Sequence, residues 1–437
     1  MRSKWFFPFS NSVEIDMTLL TDRNIPNRSV ALPQSNSTRY GRGQKIFVLI
    51  TLLFSWILAN ADRMAMSVSI IPISKEFELD ARAAGMVLGS FYISYALMQL
   101  MAGWMADRFG SRKVLVFCVA CWSVFTSLTG MAGSFAILVA IRLLFGLGEG
   151  GFAPASTVTI AEAFPKQERA RAKSLIIGAT FIGSAIGTGA IAALMQVHGW
   201  RFAYHVFGLV GVVVAIVLWF AVKDSSARTR GARPKGLFGQ LLRNSLMRKT
   251  MFIFFFSNIV YVGLISWMPT FLVKTRDIDI LHVGIASSIP YLVAFAALNG
   301  VGWLLDKVGE GHDRLFMAVG AAMVIIFLSL MAVATSLPLL MTFWTLSLVG
   351  YTAIYGTVFV IPLKHLPDEA VGTASGIINF GGQIAAGIGP VVIGFLINAS
   401  KGSFAPAFVF LIGSGVCALL ISLTWKSKAV RAGEEGA

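Results

Sequence analysis

The sequence predicts an all-α membrane protein, with twelve transmembrane helices in two pseudo-symmetric six-helix halves and both termini in the cytoplasm. Three observations carry that prediction. Hydrophobic residues make up 56% of the 437 positions and charged residues only 13%, about half the charged share of a soluble domain, so there is too little polar material to coat a soluble core. Apolar runs of bilayer-spanning length recur twelve times. The basic residues fall in the gaps between those runs, and they alternate in density from gap to gap.

A helix needs about 20 apolar residues to cross hydrocarbon. Runs of that kind cover approximately 46–71, 83–106, 114–132, 136–160, 173–197, 203–222, 250–273, 283–305, 314–333, 337–362, 371–397 and 404–424. Residues 1–44 read as a polar cytoplasmic tail expected to be disordered, with Met17 an alternative start, and 425–437 as a second tail. "WFFPF" at 5–9 is followed by acids, Asn and Pro, not by the apolar stretch and small-residue site of a signal peptide.

Of the 36 Lys and Arg, 28 lie in the tails and every second connection, 6 lie in the opposite connections, and Arg63 and Arg142 lie inside runs. That asymmetry places both termini and the long basic linker, 224–249, in the cytoplasm. It also accounts for the net charge of +15 without nucleic acid, because no basic helix or aromatic platform is present. Cys118, Cys121 and Cys417 lie in apolar runs and read as packing residues. No metal-ligand cluster and no nucleophile–base set is visible, so an enzyme is not expected.

The linker divides the chain into halves 45–223 and 250–424 that echo one another. "GWMADRFGSRK" at 103–113 returns as "GWLLDKVGEGHDR" at 302–314, and "FPKQERARAKS" at 164–174 returns as "LPDEAVGTASG" at 366–376. The two offsets, 199 and 202 residues, agree closely. They indicate repeats related by an axis along the membrane normal, with a cavity between them.

At these residues the chain resembles the major facilitator superfamily, whose signature between the second and third helices is G-x-x-x-D-R-x-G-x-R-K. Gly103, Asp107, Arg108, Gly110, Arg112 and Lys113 match it, and the partial second copy contains Asp306. Gly110 permits a tight turn, and Asp107 can cap a helix or face a positive helix end. The resemblance implies that this loop braces the two halves in one access state.

Four ionisable residues fall well inside spans: Asp62, Arg63, Arg142 and Glu149. Each costs about 2.5–3.5 kcal/mol at mid-bilayer unless paired or hydrated, so such residues face the bundle interior. Asp62 and Arg63 are adjacent, point about 100° apart, and so serve different neighbours. Arg142 and Glu149 are two turns apart and share a face. Gly146, Gly148, Gly150 and Gly151 strip side-chain cover from around Glu149 and let a neighbouring helix or a water-filled cavity approach. A carboxyl group in such a setting can exchange protons near neutrality.

The R-x-x-x-G spacing of Arg142 and Gly146 resembles a helix 4 motif of proton-coupled members of that superfamily. "NADR" in helix 1, "GxxEGGFxP" in helix 4 and "SWMPTFL" in helix 7 together resemble its anion:cation symporter family. That resemblance implies import of an organic anion, often a sugar acid, with protons as the coupling ion and no other cofactor. It makes Asp62 and Glu149 the protonatable pair, Arg63 the anion-binding arginine, and Tyr95 and Asn379 substrate contacts. Thr180 stands where sugar-acid members have a glutamine, and Phe359 stands for a helix 10 aromatic that is often Trp. A site so altered suggests a smaller or less hydroxylated anion than an aldonate. Tyr92, Asn258, Tyr261, Tyr351, Tyr355 and Gln383 are further cavity candidates, although half-buried packing explains each equally well.

The expected protein is therefore a bacterial inner-membrane importer of a small organic anion, working as a monomer in the lipid bilayer by alternating access. With Asp62 and Glu149 deprotonated, acidic partners hold Arg63; protonation from outside frees it for a carboxylate or sulfonate. An exporter of the same superfamily is the alternative, although helix 5 lacks the Gly-Pro of drug:proton antiporters. A transporter-like sensor is less favoured because the linker and tails leave no room for a signalling domain.

Overall fold

A backbone in hydrocarbon must satisfy its own hydrogen bonds, and a helix does so within one segment. In the computed structural model, which describes residues 40–223, 237–308, 311–366 and 368–425, every described element is a helix and no strand occurs among the described residues. The first half comprises α1 (Arg42–Glu76), α2 (Ala81–Phe109), α3 (Ser111–Thr129), α4 (Phe135–Gly150), α5 (Phe152–Ala163) and α6 (Lys166–Ala221). A short α7 (Leu237–Arg243) precedes the second half: α8 (Ser245–Arg276), α9 (Ile280–Val308), α10 (Asp313–Ala332), α11 (Leu337–His365), α12 (Asp368–Ala399) and α13 (Ala405–Leu423).

Among the described residues, ten helical stretches are long and apolar enough to cross a membrane. One of them, Arg171–Ala221, bends at Gly199 (φ 79°) and so supplies two crossings. With the 29-residue α2 the twelve expected crossings are complete. The turns obey local chemistry. Asp80 caps α2 by accepting from the Ala83 N–H at 2.7 Å, Asn244 caps α8 through Leu246 and Met247, and Gly110 ends α2 at φ 87°, a conformation that strains any residue with a β-carbon.

The structure departs from the expected spans in three places. The fourth span is two helices, broken at Gly151, because Pro154 offers no N–H to the Gly150 carbonyl. The packed chain reaches further into both expected tails than the composition suggests. Tyr40 is buried and its hydroxyl accepts from the Lys223 N–H at 2.8 Å, while Trp425 is buried and donates to Thr250 at 3.2 Å. In the expected linker, α7 places Leu241 against the second half. The rest of both tails and residues 224–236 lie outside the described residues.

Gly110, Phe164–Pro165, the end of α6 at Val222 and the start of α8 at Asn244 lie at one end of the molecule, here termed the basic face. The connections at Phe77–Asp80, Gly130–Ser134 and Asp277–Asp279 lie at the other. Among the described residues, the halves are joined chiefly by α2 with α12, α6 with α9, and α1 with α8, and Phe181 of α6 also meets Tyr261 of α8. The closest approaches lie toward the end opposite the basic face. A β-carbon added at Gly85 would sit 2.6 Å from the Pro390 carbonyl oxygen, which also accepts from Trp267 Nε1 at 3.1 Å. On the other flank Ser288 Oγ donates to the Ala185 carbonyl at 2.7 Å. The halves are thus in close contact toward that end, beside a cavity of about 530 Å³ lined by Pro72, Ala192, Met195, Trp200, Val273 and Ile280.

Candidate functional site

Arg63 and Glu149 meet in the interior of the first half. The guanidinium donates to one carboxylate oxygen, Glu149 Oε1, through Nε at 2.8 Å and also through its Nη2. Glu149 is fully buried, and Arg63 keeps 11% of its side chain exposed. Aromatic faces close around the cation: its Cζ lies 4.6 Å from the Tyr95 ring centre, 5.2 Å from Phe91 and 5.6 Å from Trp56, within cation–π range. The second carboxylate oxygen, Glu149 Oε2, has no hydrogen-bond partner among the described residues.

The glycines around Glu149 bring helices together rather than opening a water-filled space. A β-carbon at Gly148 would lie 3.0 Å from the Trp122 backbone nitrogen of α3, and one at Gly150 would lie 2.7 Å from the Tyr95 carbonyl oxygen of α2. Glu149 is thus clamped between α2 and α3, with its carboxylate presented to α1.

Asp62 turns away from Arg63, as adjacent helical residues must. It is buried and accepts from Thr126 Oγ1 of α3 at 3.2 Å, and its other oxygen has no partner among the described residues. Arg142 is 3% exposed and lies 5.1 Å from the Phe91 ring centre and 5.0 Å from Phe145. It forms no ion pair with Asp62 or Glu149 among the described residues. The structure therefore divides the expected cluster in two, with Glu149 holding Arg63 and Asp62 held by Thr126.

The other predicted residues take up graded positions around this cluster. Thr180 accepts from Trp56 Nε1 at 2.8 Å, so it reaches Arg63 through the indole. Asn379 of α12 donates to Gln99 of α2 at 2.7 Å, a polar link between the halves two turns from Tyr92 toward the basic face. Phe359 packs 5.2 Å from both Phe254 and Tyr355. Tyr261 and Tyr351 stack at 4.3 Å with rings 4° from parallel, and Tyr351 donates to Asn258 Oδ1 at 3.0 Å. The second half thus carries an aromatic cluster on α8 and α11.

In the expected gating loop, Gly103 and Asp107 lie in α2 and Asp306 in α9; their side chains lie outside what the structure describes. Arg108 and Lys113 are exposed. Arg112 lies 4.2 Å from the Trp219 ring centre, and neighbouring Ser111 donates to Glu162 at 2.8 Å.

Trp56, Thr126 and Gln99 were not singled out in the sequence. Trp56 carried a usable signal, lying seven residues before Arg63 and so on its face of α1. Gln99 lies four after Tyr95 on α2. Thr126 carried none beyond being polar inside an apolar run.

Comparison with known proteins decides the family. Residues 51–390 match the Major Facilitator Superfamily. The chain belongs to that superfamily. Among curated members it is 29% identical to the probable sulfoacetate transporter SauU of Cupriavidus necator, over 89% of this chain and 96% of that one. It is 25% identical to the hexuronate transporter of Bacillus subtilis, covering 86% and 93%, and 27% identical to the probable galactarate/D-glucarate transporter GarP of Escherichia coli, covering 86% and 94%. Its fold matches the crystal structure of a bacterial homologue of the human lysosomal transporter Spinster, in an inward-facing, unoccupied conformation, with a TM-score of 0.76 at 20% identity over 88% of this chain and 98% of that one. This major facilitator protein is a multi-pass membrane transporter, not an enzyme.

Proposed function

We propose that the protein imports a small organic anion together with protons across a bacterial inner membrane, with the basic face in the cytoplasm. One observation carries the reading: the cation best placed to receive an anion, Arg63, is held by a carboxylate, Glu149, that is itself fully buried. A proton on Glu149 removes the charge that holds Arg63. The guanidinium is then left in an aromatic cage with its charge uncompensated, and an anion restores the balance. Proton and anion binding thereby favour each other, which is the coupling a symporter needs. The relatives, named as transporters of sulfoacetate, hexuronate and galactarate or glucarate, support the anionic class.

Asp62 is the second proton site of the proposal, buried beside Thr126. Once the site is neutral the two halves rock about it, opening it to each side in turn; deprotonation in the cytoplasm recaptures Arg63 and expels the anion. The closure opposite the basic face accords with a state shut against the outside.

The test is uptake into proteoliposomes of a panel of carboxylates and sulfonates, with and without an inward proton gradient. Wild type accumulates its substrate only with the gradient. Glu149→Gln is expected to lose gradient-driven accumulation while retaining exchange of substrate for substrate. If the glutamine variant still accumulates substrate, the carboxylate does not couple.

A further inference from the structure

The proton and anion steps leave one cation near the site without a role. Lys173 of α6 is half-buried, and its ammonium donates to two groups of α5, the Ala153 carbonyl at 3.3 Å and Ser156 Oγ at 3.2 Å. No carboxylate pairs with it among the described residues. The carbonyl does not need it, because Ala153 already accepts from the hydroxyls of Ser156 at 2.8 Å and Thr157 at 2.9 Å. Nor does the side chain take the usual course of a lysine near a helix end, which carries its charge out to the head groups. Lys173 lies seven residues from the basic-face end of α6, and Ser156 and Ala153 lie seven and ten from that end of α5. The ammonium is therefore held level with its own backbone or deeper, about 10–15 Å from the end, where a charge without a counter-charge is costly.

The neighbours of α6 fix the direction in which Lys173 points. Gly183 and Gly187 approach Ile57 and Ala61 of α1, while Gly178 and Ala185 approach Phe295 and Ser288 of α9. Lys173, Thr180 and Ser184 follow the i, i+7, i+11 spacing of one helical stripe. That stripe runs between the two flanks and so faces the gap between the halves. Thr180 on it holds Trp56, whose ring stacks on Phe152 of α5 and lies 5.6 Å from Arg63 Cζ. Trp56 thus bridges α5 and α6 beside Arg63, and Lys173 bridges the same two helices one layer nearer the basic face. Ala153 and Ser156 follow Glu149 by four and seven residues, which sets the ammonium about 6–10 Å from Glu149 along the helix axis.

Resting on the anion-import reading above, we infer that Lys173 is a second anion site, occupied by the carboxylate or sulfonate of the substrate on its way from Arg63 to the basic face. Arg63, Arg142, Asp62 and Glu149 sum to zero once both carboxyls are ionised, so the cluster then has no net charge to offer an anion. Lys173 stands outside that balance. An anion expelled when Glu149 recaptures Arg63 meets an unpaired ammonium one layer on, and the flexible stem of a lysine can leave two neutral partners to follow it. The ammonium is a compact point charge, so the site takes one acidic head and makes no demand on the rest of the molecule.

Transport measured from each face tests this. The probe is whichever of labelled gluconate, glucuronate, lactate, benzoate and methanesulfonate wild type accumulates fastest, and its KM is measured in right-side-out and in inside-out membrane vesicles. Lys173→Gln keeps an N–H donor and removes the charge, Lys173→Arg keeps the charge, and Ser156→Asp leaves Lys173 in place but sets a carboxylate beside it. Lys173→Gln and Ser156→Asp should each raise the KM from the basic face about tenfold, while the KM from the opposite face and the dependence on a proton gradient stay as in wild type. Lys173→Arg should stay within about twofold of wild type at both faces, because the charge is kept. The inference is overturned, with anion import intact, if Lys173→Gln leaves the basic-face KM unchanged, if it raises both KM values together, or if Lys173→Arg fails as the glutamine does; the last two are the marks of a tether between α5 and α6. If wild type accumulates none of the five acids, import of such anions and the Lys173 site fall together.

Discussion

Arg63 and Glu149 use a two-to-one geometry, in which two guanidinium nitrogens converge on a single carboxylate oxygen. Lysine cannot reproduce a fork. Arg63→Lys should keep the resting pair but weaken the incoming anion about tenfold, a loss near 1.4 kcal/mol, measurable by calorimetry. Thr180→Val acts one residue further out. It leaves the indole N–H of Trp56 without its acceptor, at a cost of about 1–3 kcal/mol, and frees a ring that stacks on Phe152 at 5.8 Å and lines the cation. The expected result is a lower melting temperature and a several-fold higher transport KM, while the dependence on a proton gradient is retained. A variant with lost coupling would place Thr180 in the proton path instead.

At the scale of helices, the legible features were those written in apolar length and in charge placement. Twelve crossings could be read because each run must outlast the bilayer. Asp62, Arg63, Arg142 and Glu149 stood out because charge inside such a run is costly. What stayed hidden was pairing between runs. Nothing in the spacing of Asp62 and Thr126 announces their hydrogen bond, and the break at Gly151 needed the weight given to Pro154 as a missing donor rather than to apolar continuity. One pairing does show in the repeat once the structure supplies it. Ser111 donates to Glu162 in the first half; 202 residues on, Asp313 pairs with Lys364 at 3.1 Å in the second. The same joint is closed by an acid on opposite partners. Asp313 is 1% exposed and also contacts His365 at 3.2 Å, so Asp313→Ala strands a partly buried ammonium. The expected loss is about 3 kcal/mol, read as a lower melting temperature. Ser111→Ala removes only a neutral donor and should cost about 1 kcal/mol.

Across the whole molecule the same repeat governs closure. Gly85 approaches the Pro390 carbonyl oxygen, and Gly284, 199 residues later, approaches the Thr188 carbonyl oxygen, each with 2.6 Å left for a β-carbon. Gly89 lies against Gly387 and Val391; its counterpart Ser288 bonds to Ala185, the counterpart of Gly387. Two pseudo-equivalent seams, α2 with α12 and α6 with α9, therefore close one end by backbone against backbone. Carbonyl oxygens cannot move aside as a flexible side chain would. Valine at Gly85 or Gly284 should wedge its seam and raise the free energy of the closed state alone, which shifts the population toward an end that is open. Spin labels at Glu78 and Lys401, in the loops of the two halves at that end, report the change once the three cysteines are replaced. The distance distribution should lengthen for Gly85→Val and for Gly284→Val, and further for the double variant, because the wedges act on separate seams and their effects add. Unchanged distances in both single variants would mean that the seams do not form the gate. Lengthening from one wedge alone would mean that the halves hinge about the other seam instead of rocking symmetrically.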